Sequence, residues 1–129
     1  MEEEKRPKIL PPSLRGRTRY LAFDAISEQK ILLDDLINTI WHSVLNFLGE
    51  VGTSRASIKI IKDTYDDKRQ MGILRCSHDD VENVRSALTL IQRIGDTRVI
   101  LRVLGISGSI KAAKMKFFGE PRLNEFTQA

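Results

Sequence analysis

The chain has 129 residues, 41% of them apolar and 29% charged, which suits one globular domain around a single core. Acids occupy Met1-Glu2-Glu3-Glu4 where a secretory leader carries bases, no apolar run approaches bilayer length, and Cys76 is the sole cysteine. The expectation is therefore a cytoplasmic protein with no membrane segment and no internal disulfide.

Residues 1–16 are expected to form an extended basic arm, because Pro7, Pro11 and Pro12 oppose a helix. Residues 17–119 are read as the single folded domain and 120–129 as a flexible tail. The first strand is expected over Arg19 to Ile26, where Leu21, Phe23 and Ala25 alternate with Tyr20, Ala22 and Asp24. Leu33, Leu36, Ile37, Ile40, Trp41, Val44, Phe47 and Leu48 follow helical spacing, predicting a helix over 31–48 that Gly49 stops. Two strands, Ala56 to Asp63 and Met71 to Cys76, follow, with a polar hairpin link at Thr64 to Arg69. A second helix is expected over 79–94, with Asp79 and Glu82 at capping-box spacing and Gly95 as its stop. Arg98 to Leu104 is the last strand, and Gly105 to Ser109 turns into a short basic helix ending at Phe118.

The order is β-α-β-β-α-β plus a C-terminal helix. This predicts an α+β, ferredoxin-like fold, also that of RNA recognition motifs: an antiparallel sheet with two helices on one face. Leu21, Phe23, Val99, Leu101 and Val103 should face those helices. Tyr20, Ala22, Met71, Ile73, Ile100 and Leu104 then lie on the other face, among Arg75, Arg98 and Arg102. An apolar face of that size is rarely left open, so the last helix is expected to cover part of it.

Nothing in the sequence reads as catalytic machinery. His42 and His78 are the only histidines and fall on different elements, and Cys76 with His78 has no zinc spacing. The acid pairs Asp34/Asp35 and Asp79/Asp80 fit helix N-termini, and Asp66/Asp67 fits a turn, better than a metal site.

Charge points elsewhere. Lys5 to Arg19 holds six bases and no acid, Thr97 to Gly119 holds five and no acid, and Tyr20 to Asp96 holds nine bases against twelve acids. Concentrated positive blocks attract polyanions, nucleic acid above all. The third strand, Gln70 to Cys76, carries none of the aromatics on which an RNA recognition motif stacks bases, so phosphate contact is the expected mode. Gly105 to Lys111 adds two glycines, hydroxyls and a helix start, a combination suited to phosphate. The residues expected to contact RNA are Arg15, Arg17, Arg19, Tyr20, Arg98, Arg102, Ser107, Ser109, Lys111 and Lys114.

Leu10-Pro11-Pro12-Ser13-Leu14-Arg15, Arg19-Tyr20-Leu21-Ala22-Phe23, Leu48-Gly49-Glu50-Val51-Gly52, Gly72-Ile73-Leu74-Arg75-Cys76, Val84 to Ile91 and Leu104-Gly105-Ile106-Ser107-Gly108-Ser109-Ile110-Lys111 together resemble archaeal ribonuclease P protein component 2. The resemblance spans nearly the whole chain, apart from the link around Asp66 and the tail after Glu120. It implies a noncatalytic subunit of the ribonucleoprotein that matures the 5′ ends of precursor tRNA. The RNA would hold the catalytic Mg²⁺, the chain itself no cofactor. The implied partners are ribonuclease P RNA and protein component 3, two such pairs joining as a heterotetramer. The competing reading is a general single-stranded RNA-binding protein or RNA chaperone of the same topology, which would stack bases on Tyr20.

Overall fold

The computed structural model describes residues 17–119. The arm over 1–16, with Arg15, and the tail over 120–129 lie outside the described residues. Strand β1 (Thr18–Ser27) is the centre of the sheet because it is apolar on both faces: Leu21, Ala22 and Phe23 are all fully buried. It pairs antiparallel with β3 (Met71–Ser77) on one side and β5 (Thr97–Ser107) on the other. Two-residue strands β2 (Lys59–Ile60) and β4 (Arg93–Ile94) form the edges, in the order β2-β3-β1-β5-β4. The ferredoxin-like arrangement stands, with one more strand than expected.

Helix α1 runs from Leu33 to Ala56, broken at Gly49 (φ 76°, ψ 176°). The sequence reading ended it there. Gly49 does take the positive φ of a helix stop, but the chain resumes helically and packs closely. A Cβ at Gly52 would lie 2.9 Å from that of Leu48. This second segment ends at Ser57, in left-handed conformation, so the strand expected over 56–63 shortens to Lys59–Ile60 and a 3₁₀ turn at Lys62–Thr64.

Helix α2 is also shorter than expected, Val81–Thr89 rather than 79–94. A 3₁₀ turn at His78–Asp80 precedes it, and no side-chain hydrogen bond caps its start, so the expected capping box does not form. Gly95 serves another turn: at φ 63° it reverses the chain between Ile94 and Thr97, which pair across a two-residue hairpin loop. Ile91 and Ile94 bury in the main core from this returning segment, which is why they mimicked the helix's apolar stripe.

Strand β5 extends to Ser107 instead of stopping at Leu104. The register passes from Phe23 opposite Val103 to Ala22 opposite Gly105, leaving Leu104 as an extra residue. The bulge turns both Leu104 and Gly105 away from the helices and returns Ile106 to the main core opposite Leu21. That core lies between the sheet and α1 with α2: Leu21, Phe23 and Leu74 meet Leu36, Ile40, Val44, Val84 and Leu88. Gln70 (φ 52°) is buried there with its amide satisfied: it accepts from Ile31 N–H (2.7 Å) and donates to the Ala25 carbonyl (2.9 Å).

The last helix folds back over the other face, as expected. Helix α3 (Ile110–Ala113) begins at Ser109, whose Oγ accepts from Ala112 N–H at 3.1 Å, and continues as a π-helical stretch, Lys114–Gly119. Ala113 and Phe118 bury against Ala22, Met71 and Ile73, with Ile110, Phe117, Tyr20 and Leu104 packed around them. Gly105 makes room for the cover, since a Cβ there would run into the Phe117 ring. At the far end Arg69 Nη1 donates to the Phe118 carbonyl at 3.0 Å.

Candidate nucleic-acid interface

Strand register assembles one row of polar side chains on the face away from α1 and α2. Lys59 stands opposite Arg75, Arg75 opposite Tyr20, and Tyr20 opposite Ser107. Residues paired this way share a face, so the row crosses β2, β3, β1 and β5. It lies where the last helix starts, beside the Ser109 cap and the exposed Lys111. Lys59 is exposed, Arg75 and Tyr20 are half-buried, and Ser107 is only 7% exposed. Arg75 Nε and Ser107 Oγ are both buried without a hydrogen-bond partner among the described residues. A buried donor left unmade costs about 1–3 kcal/mol, so the row carries two groups with an unmet demand for an acceptor. The chemistry is that of an anion site: guanidinium and ammonium supply charge, and the hydroxyl supplies a directional donor.

Of the ten residues expected to contact RNA, the nine that are described do not form one surface. Tyr20, Ser107, Ser109 and Lys111 come together at this end of the sheet. Arg17 and Arg19 are near it along the chain, but Arg19 stands opposite Cys76 and so alternates to the helix-bearing face. Lys114 is exposed on the last helix. Arg98 lies at the opposite end of β5, paired with Arg93. Arg102 is already neutralised: its Nη2 and Nε donate to the Asp24 carboxylate at 2.6 and 3.0 Å, and that pairing holds the guanidinium even more firmly protonated than usual. Ser107 belongs to a strand, not to the expected turn, and its hydroxyl is buried in the row. Arg15 lies outside the described residues.

Lys59 and Arg93 were not singled out from the sequence, and Arg75 was placed on the face without a role. Their importance follows from register, which depends on where β2 and β4 begin and end. No group of three or more His, Cys, Asp or Glu side chains among the described residues is arranged to hold a metal ion. No described helix is long and apolar enough to cross a membrane.

Residues 19–118 match the Rpp14/Pop5 family. The chain belongs to that family. Among its relatives, ribonuclease P protein component 2 of Pyrococcus furiosus is 43% identical over 116 residues, covering 90% of this chain and 95% of the relative. The protein of the same name from Methanosarcina mazei is 39% identical over 110 residues, covering 85% and 91%. The fold is similar to that of a protein chain in the structure of yeast ribonuclease MRP, with a TM-score of 0.57 at 12% identity, covering 87% of this chain and 92% of that one. The resemblance drawn from the sequence thus holds: this Rpp14/Pop5 protein is a relative of archaeal ribonuclease P protein component 2. The same likeness supports the α+β fold.

Proposed function

We propose that this chain is a protein subunit of ribonuclease P that binds the catalytic RNA and supports its 5′ maturation of precursor tRNA. The observation that carries the reading is the identity of about 40% to proteins named ribonuclease P protein component 2 over nearly their full length. The chain's own contribution is binding, through Lys59, Arg75, Tyr20 and Lys111, which hold RNA phosphates at one end of the sheet above the buried Ser107. Mg²⁺ chemistry belongs to the RNA, and no residue of this chain is assigned a catalytic part.

The rival, a general single-strand binder stacking bases on Tyr20, is disfavoured by packing. Tyr20 is half-buried in the second core, and the face an RNA recognition motif would use lies under residues 110–118. The exposed side of α1, where Trp41, Leu45, Phe47 and Val51 are 38–78% exposed, is the proposed dock for protein component 3. Two such pairs joining would give the heterotetramer.

The test is reconstitution. Adding the chain to ribonuclease P RNA, with and without component 3, should raise cleavage of precursor tRNA, and no gain in either setting would refute the proposal. Replacing Lys59 and Arg75 together with Ala should lower the salt dependence of RNA binding by a slope of about 1.5. Arg102→Ala should leave that slope unchanged, because Asp24 already holds this charge.

A further inference from the structure

At the other end of β5 two arginines face one another. Arg93 on β4 and Arg98 on β5 are direct cross-strand partners, which places their Cβ atoms about 5 Å apart. Both are exposed, and neither forms an ion pair among the described residues. Arg93 Nη1 reaches only the Asp96 carbonyl, at a marginal 3.5 Å. Like charges directly opposite each other destabilise a sheet. They sit on an edge strand of two residues, held in place by Ile94 in the main core and by Val99 N–H, which donates to the Gln92 carbonyl at 3.0 Å.

The neighbouring surface is apolar. Arg98 alternates with the core residue Val99, so it lies on the same face as Ile100, whose partner on β1 is Ile26. Ile26 is 48% exposed and Ile100 61%, because the terminal helix covers Ala22, Met71 and Ile73 but stops short of this pair. Ile26, Ile100, Arg93 and Arg98 line one open groove of about 750 Å³ together with Ser27, Glu28, Gln92 and Val99, so two guanidinium groups outweigh the single carboxylate of Glu28. Two unpaired guanidinium groups beside a flat apolar pair match the chemistry of a nucleotide, whose phosphate is anionic and whose base presents an apolar face.

We propose that this groove is a second RNA-binding site, in which Arg93 and Arg98 grip a phosphate and Ile26 with Ile100 support the base of an unpaired nucleotide. The inference rests on the RNA-binding reading above and extends it. At about 3.3 Å per residue, the stretch from Arg98 to Ser107 separates the two sites by about 30 Å. The sheet would therefore bridge two places on a folded RNA.

The experiment measures binding of ribonuclease P RNA by the full chain across a salt series, for the unmodified protein, R93A/R98A and I100S. The arginine variant should bind about tenfold more weakly, with a salt slope lower by about 1.5. I100S should weaken binding about threefold with the slope unchanged. The midpoint of thermal unfolding of R93A/R98A should hold or rise, since a repulsive pair is removed, which separates lost contacts from lost fold. If the unmodified chain binds the RNA and both variants match it, the second site is overturned while the general reading survives. If the unmodified chain shows no salt-dependent RNA binding, both fall. Normal RNA binding by R93A/R98A with lost assembly onto component 3 would assign the groove to a protein and overturn the proposal. So would protection of Ile26 and Ile100 without RNA that disappears on deleting residues 120–129.

Discussion

Gln70 carries an unusual share of the fold for a polar residue. Its left-handed backbone turns the chain into β3, and its buried amide ties Ile31 N–H to the Ala25 carbonyl, joining the α1 approach to β1. Gln70→Ala should leave both backbone groups unmade and cost about 2 kcal/mol, read as a shift in urea unfolding midpoint with unchanged m. Cys76 is the other informative single residue. Burial, aided by the charge of Asp80, pushes its thiol up to about 11 from an ordinary 9.0. The unfolded chain therefore loses this proton first. Stability should be intact below about pH 9 and should fall as pH rises towards 11. Replacing Cys76 with Ala should flatten that decline, although the cavity lowers stability at every pH. A thiol reagent at pH 8 should label Cys76 only in denaturant.

At the scale of elements, what the sequence revealed was periodicity, and what it hid was the use made of each glycine. Leu36, Ile40 and Val44 announced α1, because one-sided burial writes itself directly into residue order, and Leu21 and Phe23 with Ala22 between them announced a strand buried on both faces. Gly49 and Gly95 were both read as helix stops. The first does end its helix, although a second helical segment follows directly to Ala56, and the second closes a hairpin; both take positive φ, so composition alone could not separate the uses. The Lys59, Arg75, Tyr20 and Ser107 row was illegible for a related reason. It exists only in the register, and the bulge at Leu104 shifts that register by a residue. Gly105 is the element-scale test. Gly105→Ala would drive a methyl group into the Phe117 ring, so the terminal helix must shift. A loss of about 1–3 kcal/mol is expected, with faster amide exchange over 110–118 and little change in α1.

For the molecule as a whole, the two cores are unequal. The main one unites the sheet with α1 and α2, and the second is a thin layer under residues 110–118. A chain ending at Ser109 should keep most of its helical and strand signal while binding an apolar dye strongly. If its dye binding equals that of the full chain, the covering role of the terminal helix is refuted. Among the described residues the positive charge is likewise divided, one group beside the start of that helix and another at the β4–β5 hairpin. Only Lys111 and Arg98 in these groups come from the acid-free blocks, while Lys59, Arg75 and Arg93 come from the segment between, because strand register and not chain position gathers them.

The terminal cover also has a consequence for biogenesis. Every strand leaves the ribosome before residues 110–118 do, so the nascent sheet emerges with Ala22, Ile73 and Met71 unshielded on one side. Protection against sticking to other chains arrives only when Phe117 settles over Gly105. A stalled or prematurely released product lacking those residues would therefore be a ready client for chaperones, while the complete chain would seal itself.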